Sequence, residues 1–221
     1  MILKSNTKAK LLLKKIFGFF GFGITTKSNL EKLINLEKSR SDATLKLLVS
    51  FPVGTSKKLL EVVELSNSQL QQDLFVLGVL GCKRNGFYVE FGATDGISLS
   101  NTYLLEKEFD WHGILAEPAR EWRNDLMINR PNSIITHDCV WTSSGTKIDF
   151  LQTKEKEFST IAKFSRSDVH HSVRQSGNKY QVDTISLLDL LRKYDAPRII
   201  DFLSIDTEGS EFAILESFDF D

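Results

Sequence analysis

The sequence has little of several features that would place it in a specialised class of proteins. Cysteine occurs only at Cys82 and Cys139, which is too few for a disulfide framework or a zinc site, so we expect two reduced thiols in a cytosolic protein. Charge is nearly balanced, with 28 lysines and arginines against 29 acids, which argues against nucleic acid as a general partner. The longest apolar run has nine residues, Ile16 to Ile24, whereas a membrane span needs about 20.

The N terminus is the one strongly basic part of the chain. Its first 30 residues hold six lysines and no acid. This composition indicates either a solvated tail or peripheral contact with an anionic membrane surface, without a transmembrane helix. A capping box of Ser28 and Glu31 predicts that a helix starts there. We therefore interpret residues 1–67 as a basic segment with a helical extension of a cytoplasmic protein.

Residues 68–221 have the composition and patterning of one α/β domain. Ser68 and Gln71 form another capping box, which predicts a helix that Gly81 closes. Beyond that point, predicted strands alternate with helices (strands 87–91, 113–117 and 133–137, helices 100–109 and 119–130). This alternation is typical of a parallel sheet that is covered on both faces.

The second half of the domain is more varied. Residues 147–151 and 180–185 alternate polar with apolar side chains, which predicts strands with one solvated side. The polar stretch 152–179 between them predicts a long loop. A helix at 186–194, a buried strand at 202–205 and a helix from Ser210 to Phe218 complete the prediction.

Acidic residues stand at the ends of the predicted parallel strands, where α/β sheets bind ligands. Glu90 opens the two-glycine loop Glu90–Gly96, Glu117 ends the next strand, and Asp138 ends the third. A carboxylate at Glu117 can accept hydrogen bonds from two vicinal ribose hydroxyls, and one at Asp138 from an adenine amino group. Asp206 ends the buried strand 202–205 and is expected across the same crevice.

The acids also separate two kinds of nucleotide ligand. A dinucleotide site requires a glycine-rich turn whose backbone faces a pyrophosphate, but Thr94 occupies the position of the second glycine. Glu90 and Asp95 add negative charge, which repels pyrophosphate and suits the sulfonium and ammonium groups of S-adenosylmethionine. An NAD-dependent oxidoreductase is therefore the weaker interpretation.

Three segments of the chain resemble one family of enzymes. "FYVEFGATDGISLSNT", "WHGILAEP" and "IDFLSIDTEGSE" are similar to the FkbM-type methyltransferases, and "SQLQQDLF" at Ser68 to Phe75 resembles one branch of them. The resemblance implies a Rossmann-like class I methyltransferase fold with a three-layer αβα sheet. It also implies an S-adenosylmethionine-dependent O-methyltransferase whose acceptor is a hydroxyl on a glycan or related metabolite.

The resemblance assigns roles to individual residues. Asp206 and Glu208 would face the methyl group and the acceptor, with Asp206 orienting or deprotonating the hydroxyl. A hard cation held by Asp206, Glu208 and Glu211 is a weaker alternative, and we expect no metal. The residues that would bind S-adenosylmethionine are Glu90, Gly92, Ala93, Asp95, Gly96, Asn101, Glu117 and Asp138.

One departure from the family concerns the C-terminal strands. The family continues with further strands, whereas this chain stops one helix after the strand that ends at Asp206. We therefore expect an open apolar sheet edge and a chain that is a fragment; the alternative is an edge covered by another chain, including a second copy. The second functional hypothesis follows from this departure: a non-catalytic binding protein that keeps the fold.

Overall fold

The computed structural model describes residues 42–152, 160–161, 178–207 and 209–220. The chain divides into two units, Met1–Ser50 and Phe51–Asp221. Residues 42–49 of the first unit are helical, whereas the helix predicted at Ser28 and the basic segment lie outside the described residues. Within the described part, no helix is both long and apolar enough to cross a membrane. The predicted domain boundary between residues 67 and 68 stays a prediction.

The second unit begins with two helices and a short turn, namely α1 (Val53–Val62), a 3-10 turn (Val63–Leu65) and α2 (Gln72–Val79). The predicted capping box at Ser68 is wrong, because α2 starts after Gln71, whose φ of 62° lies in the left-handed region. The Ser68 hydroxyl instead accepts a hydrogen bond from the Asp73 amide, at 3.3 Å. Gly81 closes α2 as predicted, in a Schellman motif where the Cys82 amide donates to the Leu77 carbonyl.

Eight strands and four further helices follow in the described part of the chain. The strands are β1 (Phe87–Phe91), β2 (His112–Ala116), β3 (Ile134–Thr136), β4 (Cys139–Trp141), β5 (Lys147–Gln152), β6 (Thr160–Ile161), β7 (Asn178–Ser186) and β8 (Phe202–Ile205). The helices are α3 (Tyr103–Phe109), α4 (Arg123–Asn129, after a 3-10 turn at Arg120–Trp122), α5 (Leu187–Lys193) and α6 (Glu211–Glu216). Most overlap the predicted segments, with bounds that are identical or differ by up to four residues.

The first sheet is wholly parallel, in the order β3-β2-β1-β8. All five residues of β1 are buried, which fits a central strand covered on both faces. Its phenylalanines pack with Leu187 and Leu190 of α5 and Ile214 of α6 in one apolar cluster. The prediction of an α/β, Rossmann-like fold with a mostly parallel sheet is confirmed.

The second sheet has the order β4-β7-β5-β6. β4, which the sequence pattern did not predict, pairs parallel with β7, while β5 pairs antiparallel with both β7 and β6. The predicted loop 152–179 is wrong at its ends and at residues 160–161, which are strand; residues 153–159 and 162–177 lie outside the described part. This sheet brings residues distant in sequence next to the ends of the first sheet.

Strand β8 forms one edge of the first sheet. It pairs with β1, and no described strand lies against its other side, so the predicted edge position is confirmed for the described residues. Asp201 fixes its start, because one carboxylate oxygen accepts from the Phe87 amide at 2.9 Å and the other from Lys83 at 2.6 Å. As a result, the residues after β8 lie beside those after β1.

Candidate functional site

A cavity lies at the carboxyl ends of β1, β2 and β8, where the sequence predicted the site. Glu90, Gly92, Asn101, Glu117 and Asp206 all line it, so the structure brings five of the predicted site residues together. Its other walls come from the loop 94–100, the segment after β2, and the second sheet. Further lining residues include Gln69, Thr94, Ser98, Leu99, Trp122, Cys139, Val140, Phe150, Ile161, Thr207 and Ser210.

Glu117, directly after β2, is the best-defined acid of the cavity. Its carboxylate accepts from the Ala119 amide at 2.7 Å and the Thr94 amide at 3.0 Å, so it ties the loop after β1 to the turn after β2. Burial raises the pKa of Glu117 to about 7, and the nearby Glu121 carboxylate adds to this, while the two amides oppose it. The side chain is only 4% exposed, so the remaining acceptor positions are available mainly to a ligand in the cavity.

Glu90 holds the loop that forms one wall of the cavity. Its carboxylate accepts from the Asn101 amide at 2.8 Å, the Thr102 hydroxyl at 2.5 Å and the Ser100 hydroxyl at 3.1 Å. Burial raises the pKa of this carboxyl, against the effect of these donors. Asn101 in turn donates from its side chain to the Ser204 hydroxyl of β8, at 2.9 Å. Glu90 therefore positions the loop as well as adding negative charge to the cavity.

The two glycines of the loop allow the close packing on which the cavity depends. Gly92 has a φ of +78°, and a Cβ there would overlap the carbonyl oxygen of Asp206. Gly96 has a φ of +82°, and its Cβ would lie 2.6 Å from Arg130 and 2.8 Å from Leu126. The sequence analysis named Gly92 as a cofactor-binding residue; the structure adds that it allows the segments after β1 and β8 to touch.

Three other predicted ligand residues, Gly96, Asp95 and Ala93, belong to the loop and do not line the cavity. Asp95 turns its carboxylate onto its own loop, accepting from the Ile97 and Ser98 amides at 2.8 and 2.7 Å and from the Ser98 hydroxyl. Ala93 is buried, at 1% exposure. These residues therefore shape the loop in the described structure.

Asp138 is not brought to the cavity. The strand β3 already ends at Thr136, and the Asp138 carboxylate accepts from Lys193 at 2.8 Å and from the Thr136 hydroxyl at 3.2 Å. The next two residues, Cys139 and Val140 of β4, line the cavity instead. Burial raises the pKa of the Cys139 thiol to about 12, so it contributes as an apolar, un-ionised group.

The segment after β8 supplies the mouth of the cavity. Asp206 lines it and remains reached by solvent, and the partial loss of its hydration, together with the Glu211 carboxylate, raises its pKa. The Glu211 carboxylate accepts hydrogen bonds from the Thr207 and Gly209 amides, at 2.9 and 3.0 Å. These hydrogen bonds hold the segment after β8 against the start of α6. Glu208 lies outside the described residues. The described residues contain no group of three or more side chains that could hold a metal ion.

Arg130 is a site-forming residue that sequence reasoning missed, because it looked like the end of a helix before a proline. It is completely buried, and its charge is paired with Glu106 at 2.7 Å. All five of its N–H groups are used: the remaining partners are the Gly96 carbonyl, the Tyr88 hydroxyl, the Ser100 hydroxyl and the Thr102 hydroxyl, at 2.9 to 3.3 Å. Through these hydrogen bonds, Arg130 stabilises the loop that lines the cavity.

An apolar wall, also missed from the sequence, faces these acids. It consists of Trp122 from the turn after β2, Val140 of β4, Phe150 of β5 and Ile161 of β6. Alternation in β5 indicated a buried side but not what that side faces. The cavity therefore combines apolar and aromatic side chains with carboxylates, which suits a ligand with an aromatic ring and a positive charge.

Comparisons with known proteins identify the family. The model of the FkbM methyltransferase domain matches residues 90–221, which hold the acids, the loop described above and all of the parallel sheet except the first three residues of β1. Neither the comparison with curated proteins nor that with solved structures returned a match. The family match covers more than half of the chain and contains every predicted ligand residue, and this protein therefore belongs to the FkbM methyltransferase family.

Proposed function

We propose that this protein transfers a methyl group from S-adenosylmethionine to a hydroxyl of a glycan or related metabolite. The observation that carries this proposal is the charge of the cavity. Glu90, Glu117 and Asp206 line it, and no lysine or arginine does so among the described residues. A pyrophosphate would find no cation there, whereas a sulfonium and an ammonium group would lie among carboxylates.

The lining residues suggest one orientation for the cofactor. Its adenine would pack on the apolar wall of Trp122, Val140 and Phe150, and Glu117 would accept hydrogen bonds from the ribose hydroxyls. In that orientation the methionine portion would extend toward β1 and β8, because Glu117 follows β2, on the far side of β1 from β8. Asp206 would then be the acid nearest the sulfonium.

The reaction needs mainly alignment. S-adenosylmethionine would supply the methyl group and leave as S-adenosylhomocysteine, while the proton of the acceptor hydroxyl would pass to the Asp206 carboxylate. Asp206 at the cavity mouth accepts a hydrogen bond from the hydroxyl and orients it, and its raised pKa improves it as a proton acceptor.

The cofactor site is tested by calorimetry with S-adenosylhomocysteine. Glu117→Ala should weaken its binding by about 1.5–3 kcal/mol, or roughly 10- to 150-fold, since it removes charge-assisted hydrogen bonds. Glu108→Ala, which changes an exposed acid away from the cavity, should leave the affinity unchanged. Equal affinities for wild type and a folded Glu117→Ala variant would refute the assignment.

Methyl transfer separates an enzyme from a binding protein. The wild type is incubated with tritiated-methyl S-adenosylmethionine and pools of glycans and hydroxylated metabolites. Label that moves to an acceptor and resists mild base indicates an ether and supports the proposal. Tight binding of S-adenosylhomocysteine without transfer to any hydroxyl would instead indicate the non-catalytic alternative.

A further inference from the structure

A segment upstream of the family match forms part of the cavity. Residues 66–71, here called the rim segment, precede residues 90–221, yet Gln69 lines the cavity. Ser68 forms a parallel bridge with Leu99, and its hydroxyl donates to the Asn101 side chain at 2.8 Å. The rim segment is therefore docked on the same loop that Glu90 holds.

Buried polar contacts define the position of this segment. Ser66, Ser68 and Asp73 are all buried, and the Ser66 hydroxyl donates to the Asp73 carboxylate at 2.7 Å. The Ser68 hydroxyl also accepts a hydrogen bond from the Asp73 amide. Buried polar groups are costly unless they are bonded, so this arrangement favours one docking geometry for Gln69, the exposed residue between them.

The contacts also fix which end of the cavity Gln69 occupies. Asn101, which Ser68 contacts, donates to Ser204 of β8. Glu117 lies after β2, and β1 separates β2 from β8 in the sheet. The rim segment therefore lies at the β8 side, opposite the ribose position. A ligand whose nucleoside occupies the Glu117 side extends its other end toward Gln69.

That end of S-adenosylmethionine is an amino acid with both an ammonium and a carboxylate. The ammonium is matched by cavity acids, but the carboxylate is not matched by a cation, since no described lysine or arginine lines the cavity. Among the described lining residues, neutral donors are the groups left to bind it, and a carboxamide supplies two N–H groups. We propose that Gln69 donates to the carboxylate of the cofactor's methionine portion, an inference that rests on the proposed function.

The test compares two ligands that differ in this portion. S-adenosylhomocysteine carries the amino acid, whereas 5′-methylthioadenosine keeps the nucleoside and the sulfur without it. Gln69→Ala should weaken the first roughly tenfold or more and leave the second within about twofold. Gln69→Glu, which cannot donate and adds a like charge, should weaken the first still more. Leu70→Ala, which changes the neighbouring exposed residue that does not line the cavity, is the matched control.

Each outcome is decisive. A selective loss for S-adenosylhomocysteine in both Gln69 variants, with normal binding by Leu70→Ala, supports the inference. Unchanged binding of S-adenosylhomocysteine, an equal loss for both ligands, or wild-type affinity in Gln69→Glu overturns it while the proposed function stands. If the wild type binds neither ligand, the proposed function and this inference fall together.

Discussion

Glu117→Gln should make the stability of the protein less dependent on pH. The folded protein holds the Glu117 proton tightly, with a pKa raised from 4.5 to about 7 by burial and by Glu121. Glutamine has a similar shape but does not titrate. Its carbonyl oxygen can still accept a hydrogen bond from one of the two backbone amides that donate to Glu117, but its NH2 group cannot accept from the other.

The sign and size follow from proton binding. Because the folded state has the higher pKa, the stabilising contribution of Glu117 is fully present below pH 4.5 and is lost as the pH rises to about 7. The difference between the two pKa values corresponds to about 3 kcal/mol. Loss of one hydrogen bond from a backbone amide lowers the free energy of unfolding of the variant by about 1–2 kcal/mol at every pH. The variant should therefore gain about 3 kcal/mol relative to wild type between pH 4.5 and 7.

Urea unfolding of both proteins at several pH values between 4.5 and 8 measures this difference. Other titrating groups, including Glu90 and Asp206, are present in both proteins and largely cancel. The same substitution should also remove the pH dependence of S-adenosylhomocysteine binding, which in wild type should strengthen as Glu117 ionises. A difference in unfolding free energy that stays constant across this range, or that changes in the opposite direction, would refute the reasoning.

Three further substitutions test other parts of the site. Arg130→Lys should lower the free energy of unfolding by about 2–4 kcal/mol in urea titrations, because lysine lacks the planar guanidinium with its five N–H donors. Arg84→Lys, at an exposed ion pair, should cost under about 0.5 kcal/mol. Equal effects of the two substitutions would contradict the stabilising role of Arg130. Gly92→Ala should lower the free energy of unfolding by about 2 kcal/mol or more beyond the effect of Gly145→Ala. Gly145 is the control because it also has a positive φ, but a Cβ there would meet no atom within 4 Å. Similar urea midpoints for the two variants would show that the close approach of Gly92 to Asp206 is unimportant. Asp206→Asn should lower kcat about 100-fold or more in the methyl-transfer assay with little change in S-adenosylhomocysteine affinity, and an unchanged kcat would exclude its role at the acceptor.

Local patterns explain which elements were predictable. The strands β1 and β8 are short, mostly apolar runs, and turn residues mark their ends. Strand β4 has only three residues and follows β3 after two residues, so no periodicity could separate it. The capping box at Ser68 failed because tertiary contacts with Asn101 use that hydroxyl in place of a helix cap.

The site shows the same division. Glu90, Glu117 and Asp206 could be predicted, since parallel strands place the residues after their carboxyl ends at one edge. The position of Asp138 could not, because its partner Lys193 comes from a helix distant in sequence. Arg130 gives no sequence signal either, as its partners are spread over a strand, a loop and a helix that meet only in the folded chain.

The sequence by itself determined the family, the parallel sheet and the acidic edge, because these depend on residues close together in the chain. Tertiary structure alone decided which of the acids face the cavity, what forms its apolar wall and why Gly92 must be glycine. Each of these depends on two segments far apart in sequence coming within contact distance, such as Gly92 with Asp206 and Gln69 with the β8 end of the cavity. Pairings of that kind follow from strand order and packing, which no local pattern of residues specifies.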